Sequence, residues 1–574
     1  MLPSVSPTEF MTWSWSQIEP SYANLAAREL NAATVAEWLG DWSRLSDLID
    51  EAYNRLYVAT TVNTADEEAS GRFNHFLDTI YPAAQAAAQR LKQKLLASGL
   101  TVPGFEIPLR NLRGEAELYR EANLALLTEE QKLATSYEQI AGAQTVTWED
   151  QEVTIQRLTP VYQNPDRTVR ERAWRVGSER QLADRAAINA LWEKLVHLRG
   201  QIAANAGLPS YRAYRWKQLH RFDYTPEDCA RFYAAIEQVV VPVTARLLEK
   251  GRQRLGVDRL RPWDLTLPQG FGRVVDPPGL PALHPFDDVS ELEAHGATMF
   301  QRVDPQFGAY FETMRREGLL DLGNRKHKAP GAYSIAFEAT GRPFIFANVV
   351  GLHNDVQALL HEGGHSFHTF EMRALPYFQQ RAENALPSEF AEVASMGMEL
   401  LASPYLPAQM GGFYSAADAA RARRELLTQM LFFWPYMAVV DGFQHWVYEN
   451  AEAARAPANC DAQWRSLWRR FMVGVDWDGL EEVEATRWQR QLHIHTSPFY
   501  YFEYGIAQLG AVQVWRNALS DQAGAVARYR RALALGGTAT LPELYKAAGA
   551  KFAFDAETLG EAVELMERTI AESD

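Results

Sequence analysis

The chain has 574 residues, 47% of them hydrophobic and 22% charged, enough apolar material for a large buried core. A net charge of −15 argues against a nucleic-acid partner, because phosphate backbones recruit basic surfaces. Two cysteines, Cys229 and Cys460, exclude a disulfide framework and suit a reducing compartment. The opening "MLPSVSPTEF" lacks a basic segment followed by an apolar one. The longest apolar runs, such as "VVVPV" at 239–243, are too short to span a bilayer. A soluble, cytoplasmic chain without a membrane partner is the expectation.

Helical patterns fill 21–60, 110–142, 167–206, 287–318, 414–452 and most of the chain beyond 506. "YPAAQAAAQRLKQKLLASG" is rich in helix formers and ends on Gly99, a natural stop. "DYTPEDCARFYAAIEQVV" offers Thr225 as N-cap, Pro226 in the first turn, and Glu227 and Asp228 at the positive helix end. Its Cys229, Phe232, Ala235 and Ile236 recur at helical spacing. Six prolines between 262 and 285 (262, 268, 277, 278, 281 and 285) point to an extended connector. "GAYSIAFEATGRPFIFANV" at 331–349 reads as two strands around an "ATGR" turn, which must rest on helices or join further strands to be stable. A boundary near 190–215 separates a helical region, 1–200, from a part carrying the chemistry, 201–574.

The chemistry centres on "LLHEGGHSFHTFEM". Asp355 is a good N-cap for this segment, and on the helix that follows His361 and His365 share a face one turn apart, so both imidazoles can converge on one zinc ion. Glu362 can then take the proton of a water that the metal acidifies. Thirteen histidines make a chance H-E-x-x-H roughly a two-in-a-hundred event, so the context matters. Gly363 and Gly364 should each cost a helix about 1 kcal/mol, which makes sense if another backbone or a substrate must come close. His368 follows on the same face and reads as a supporting or core residue. A catalytic zinc needs a third protein ligand. "LPSEFAEVASMGMELLASP" supplies Glu389, Glu392 and Glu399 among apolar residues that force some carboxylates inward, where a cation would compensate them.

These segments resemble the thimet oligopeptidase and oligoendopeptidase F family of zinc metallopeptidases. The resemblance rests on "GAYS", "PFIFANVVG", "DVQALLHEGGHSFH", "EFAEVASMGMELL" and "HIHTSPFYYFEYGIAQLGA", in that order, and recognisable blocks span about 200–560. It implies a mostly α fold, a helical ellipsoid split by a deep substrate channel, with a small β-hairpin beside the zinc helix. It implies His361, His365 and Glu392 as ligands of one zinc per chain, Glu362 as general base, and Glu399 orienting a ligand histidine. By spacing, Glu389 would suit the related architecture of angiotensin-converting enzyme.

"PFYYFEYG" holds Tyr500, Tyr501 and Tyr504, and phenols aimed at the metal could steady an oxyanion. In the family a histidine precedes these tyrosines; His493 aligns with it and His495 stands nearby. Candidate catalytic residues are thus Glu362, His493, Tyr501 and Tyr504. Substrate contacts are expected from Tyr333, Phe346, Ala347, Asn348, Tyr500 and His495, with "PFIFANV" as an edge strand to which an extended peptide adds. The expected activity is internal cleavage of short unstructured peptides. An exopeptidase using Arg342 to hold a terminal carboxylate, or a catalytically silent peptide-binding protein, are the alternatives. Oligomeric state is open.

Overall fold

Helix signals in the sequence translate directly into local structure. In the computed structural model, which describes residues 5–268, 271–275 and 282–573, Thr225 caps the helix Pro226–Leu255 with a reciprocal capping box to Asp228. Cys229, Phe232, Ala235 and Ile236 of that helix are buried. Gly99 closes the helix Tyr81–Ser98 at φ 65°, a left-handed conformation that glycine adopts without a Cβ clash. The fold is mostly α with small sheets. Several expected helices are interrupted where caps compete: 167–206 breaks at Asp184, and 287–318 at Asp304-Pro305, where Asp304 caps the second helix. Of the proline-rich connector, Pro262 opens a short 3-10 turn, while prolines 277, 278 and 281 lie outside the described residues.

The chain groups into two units, each assembled from three segments. This is a spatial division, different in kind from a sequential one at about residue 200.

The first unit comprises 1–116, 282–419 and 510–552. Its amino-terminal helices, among them Trp15–Ala27, Val35–Val62 and Tyr81–Ser98, enclose a core of Ile18, Trp38, Leu39, Trp42, Leu91 and Leu95. A three-stranded sheet follows. The expected pair, Tyr333–Phe337 and Arg342–Val349, runs antiparallel with Tyr333 opposite Phe346, and Leu320–Gly323 adds in parallel on the far side of Arg342–Val349. "PFIFANV" is therefore the central strand, paired on both flanks, and not an edge. Its near-continuous burial is the pattern of a strand covered on both faces. Hydrogen bonds tie helix Val35–Val62 to the sheet. Asn54 Nδ2 donates to Ala336 O (2.9 Å), Thr340 N–H donates to Glu51 (2.7 Å), and the Thr61 and Tyr333 hydroxyls share a hydrogen bond of 2.6 Å.

The second unit comprises 117–281, 420–509 and 553–574. It contains helices Leu124–Gly142, Arg167–Ala183, Arg185–Asn205 and Pro226–Leu255, and most of Ala416–Glu449. That last helix is long and apolar enough to cross a bilayer by length and composition, but most of its apolar window is packed inside the protein. An antiparallel hairpin that the helical pattern hid joins Thr145–Trp148 to Gln151–Thr154. Its two-residue turn, Glu149-Asp150, takes positive φ at both positions, as a tight hairpin requires.

Candidate active site

The metal motif lies on the helix His353–Met372 in the first unit. Asp355 is not its N-cap. It sits in the first turn, where Oδ2 accepts hydrogen bonds from the backbone N–H groups of Val350 and Leu352, both at 2.8 Å. The helix Ser388–Ala402 packs against it, and the two glycines explain how closely. A Cβ on Gly364 would stand 2.6 Å from Ser395 Cα and closer still to Ala394 O; one on Gly363 would meet the Phe300 ring at 2.6 Å. Glycine lets one backbone approach the other, and this brings Glu392 level with the histidines.

The donor atoms of His361, His365 and Glu392 lie within 4.8 Å of one another. Glu392 Oε2 is 3.4 Å from His361 Nε2 and 3.8 Å from His365 Nε2. Glu389, though buried, does not join this group. His361 Nδ1 stands 2.7 Å from Glu399 Oε1, so Nδ1 donates there and Nε2 is the ring nitrogen turned toward Glu392. Ser395 Oγ donates to Glu392 Oε2 at 2.9 Å and fixes its rotamer. Burial holds the His365 imidazole neutral, its pKa down near 4. Burial likewise disfavours a charged His361, yet the Glu392 and Glu399 carboxylates outweigh it and hold that ring protonated well above its ordinary range. Burial would also raise the Glu392 carboxyl, but His361 and His365 bring it to about 2. One carboxylate and two imidazoles converging without a lysine or arginine in the group form a donor set that suits a divalent cation such as zinc.

Glu362 is 8% exposed. Burial lifts its pKa to about 7, against the pull of the charged His361 and of the Ser334 backbone N–H. A carboxyl poised near neutrality beside a triad that could hold a metal has the acidity a general base needs. His368 is a core residue: it is buried, its ring meets Phe390 edge-on, and burial depresses its pKa to about 3.

Four sequence-selected residues cluster in the second unit. The His493 ring lies 6.1 Å from Tyr500, 5.0 Å from Tyr501 and 6.4 Å from Tyr504, centroid to centroid. Gln491 Nε2 donates to His493 Nδ1 (2.8 Å) while Tyr436 OH donates to Gln491 Oε1 (2.7 Å). That relay places the neutral His493 proton on Nε2, making it a donor. Tyr501 is 9% exposed, wedged against Phe433 and Tyr436, whereas His493, Tyr500 and Tyr504 are half-buried. The turn into helix Tyr501–Ser520 is held at Phe499, which adopts φ 67°. Gln444 Oε1 accepts its N–H at 2.8 Å, and Arg221 donates to its carbonyl (2.6 Å) and to Glu503 (2.9 Å). Neither Gln491 nor Arg221 was legible as a site residue, since both act through partners distant in sequence or through a neighbour's orientation.

Other expected substrate contacts are placed differently. His495 is wholly buried, stacked on Tyr137 at 4.1 Å and packed against Trp192 and Trp488. It serves the core instead of a substrate. Phe346 and Ala347 are also interior; Tyr333 stacks on Phe346 at 4.8 Å and Lys328 Nζ lies over the same ring. Asn348 is spent locally, its Nδ2 donating to Ala329 O and Gly331 O. Arg342 forms an ion pair with Glu317 at 2.6 Å.

A family model described as Peptidase family M3 matches residues 161–563, and one described as Peptidase M3 N-terminal domain matches 5–101. No curated protein matches the chain. Among solved structures, a protein assigned as oligoendopeptidase F is 28% identical with a TM-score of 0.83, and 97% of each chain is covered. PZ peptidase A, solved with an inhibitor, is 26% identical with a TM-score of 0.84, covering 98% of this chain and 99% of that one. A protein assigned as oligoendopeptidase F from Bacillus anthracis is 24% identical, with a TM-score of 0.81 over 97% of this chain and 96% of its own, a likeness of fold. The family match spans most of the sequence and includes both the metal motif and the tyrosine segment. The chain belongs to peptidase family M3.

Proposed function

We propose that this peptidase is a zinc-dependent oligoendopeptidase that hydrolyses internal bonds of short unstructured peptides. The observation that carries the reading is the convergence of His361, His365 and Glu392, with Glu399 orienting the His361 ring and Glu362 buried beside them. Zinc held by these three residues supplies Lewis acidity toward water and toward the scissile carbonyl oxygen. Glu362 takes a proton from the attacking water onto its carboxylate and passes it to the leaving amine. Glu399 accepts a hydrogen bond from His361 Nδ1 and so orients the ring with Nε2 toward Glu392, and Ser395 holds Glu392 in place.

An extended substrate would pair with the open end of strand Tyr333–Phe337 at Ser334, the residue whose N–H faces Glu362. Further along that edge, Ala336 O is already engaged by Asn54. Tyr504 and His493 are the proposed donors to the developing oxyanion, and Tyr501 is the more buried phenol. What supports this part is the Nε2–H that the Gln491 relay assigns to His493 and the half-exposure of Tyr504.

The Glu317 partner of Arg342 favours internal cleavage over an exopeptidase that anchors a terminal carboxylate there. Both cysteines are buried and outside any disulfide, as suits a reducing, cytoplasmic setting. The test is mass spectrometry of products from an acetylated and amidated peptide of about ten residues, with and without a chelator. Internal cleavage abolished by the chelator is expected. Trimming only of the free-ended twin would move the reading to an exopeptidase, and no hydrolysis of either to a peptide-binding protein.

A further inference from the structure

Two arginines in the second unit, Arg487 buried and Arg490 half-buried, have no counter-charge among the described residues. Arg487 and Arg490 lie on the short turn Arg487–Arg490, just before the segment that carries His493. Arg487 is 3% exposed; its Nη1 has no hydrogen-bond partner, and its Nη2 donates only to Pro268 O at 3.3 Å. Its guanidinium lies over the rings of Trp468 and Trp477, 5.0 and 5.1 Å from their centroids. Arg490 Nη2 is likewise buried and unpartnered. Among the described residues neither guanidinium has a carboxylate within ion-pair distance. The carboxylate that acts on Arg487, Glu484, is engaged by Arg465 and Arg469.

A guanidinium does not give up its proton, so burial alone cannot relieve this charge. Two of them side by side also repel one another. Buried charge of this kind is retained where an opposite charge arrives. The space for it exists. Arg487 and Arg490 both line a cavity of about 240 Å³. Tyr137, Tyr162 and Trp174 form apolar walls, and exposed Gln156 and Thr159 stand on the rim. Every lining residue belongs to the second unit, and none belongs to the metal triad.

We propose that this cavity is an anion site for a small organic carboxylate, with Arg487 and Arg490 meeting the carboxylate and the Tyr137, Tyr162 and Trp174 rings packing on its apolar body. Planar guanidinium forks match carboxylate geometry, and the three aromatic walls favour a ligand with an apolar body over a bare inorganic ion. The carboxylate could come from the free end of a short peptide or amino acid, or from a free organic acid. The proposal stands independently of the metal-site reading.

The test is calorimetric titration of the full-length protein with N-acetylphenylalanine, its amide, succinate and inorganic phosphate, repeated on R490Q. Arg490 is only half-buried, so this change should leave the melting temperature close to that of the parent. If R490Q does not fold, R490K, which keeps the charge but loses the fork, replaces it. The expected result is one-to-one binding of N-acetylphenylalanine, with the amide and the variant each weaker by about tenfold or more. Succinate binding with the same loss in the variant, and none by N-acetylphenylalanine, would support the site and name a free organic acid as its source. Binding of phosphate alone, binding equally strong in the variant, or no binding of any probe at about 10 mM would overturn the proposal.

Discussion

Gly364 and Ser395 set the distance between the two helices of the metal site: a Cβ on Gly364 would stand 2.6 Å from Ser395 Cα. No side-chain rotation relieves a clash with backbone. Gly364→Ala is therefore expected to push the helices apart, lowering stability by about 1–3 kcal/mol and moving Glu392 away from His361 and His365. Zinc content by elemental analysis and the denaturation midpoint should fall together. A variant that keeps full metal occupancy and parental stability would contradict the close packing.

Glu362→Gln conserves shape and removes the base. Metal content should stay at one per chain while turnover drops by about 10²–10⁴. Retained hydrolysis would assign the proton transfer elsewhere.

Glu399 touches His361 Nδ1 and would act on a bound metal only through that ring. Losing it should weaken zinc about 10–100-fold without abolishing binding, whereas Glu392→Ala removes a donor outright and Glu389→Ala leaves all three donors in place. Competitive zinc titration of the three variants separates ligand, orienting residue and bystander. If Glu389→Ala were the variant that lost the metal, the ligand assignment would be exchanged.

Tyr504→Phe deletes the hydroxyl of a half-buried tyrosine. A fall in kcat of about 10²–10³ is expected, with unchanged metal content. Tyr501→Phe, buried against Phe433 and Tyr436, should cost less. Equal effects would mean that both phenols reach the substrate.

A buried acidic group under the sheet should make stability pH-dependent. Burial, with Asp50 nearby, lifts Glu338 to about 8; burial also lifts Asp50 to about 7, and it lifts Asp47 to about 6 although Arg381 binds that carboxylate. An acid with a raised folded pKa keeps its proton longer in the native state than in the unfolded chain. The stability this provides is complete below about 4.5 for Glu338 and is lost as pH rises through about 8. Glu338→Gln, neutral at every pH, should flatten the decline in unfolding free energy between pH 6 and 9 by about 2–4 kcal/mol in urea titrations. A decline as steep as the parent's would rule out Glu338 as its source.

Much of this was legible before any coordinates. Caps, glycine stops and 3.6-residue periodicity are local signals, so helices such as Pro226–Leu255 could be read from the residues themselves. The metal motif could be read for the same reason, since His361 and His365 share one helix face whatever surrounds them. The hairpin at 145–154 was missed because its "WEDQ" turn lacks the glycine or asparagine that usually announces positive φ. Asp355 was misread as a cap because a first-turn aspartate that binds preceding N–H groups has the same local composition.

Non-local relations account for the rest. No periodicity could tell that strand Arg342–Val349 is central, because the strand that covers its other side, Leu320–Gly323, carries only four residues of signal. Nor could it tell that His495 is core while His493 is half-exposed, since two residues on one short turn differ only in which neighbours they meet. The sequence by itself determined the helices, the zinc-type motif and the family resemblance, all encoded by residues close together in the chain. Tertiary structure alone decided which glutamate faces the histidines, which strand is an edge, and which arginines lack a counter-charge. Each of those depends on burial and contact between segments that the chain brings together only when it folds.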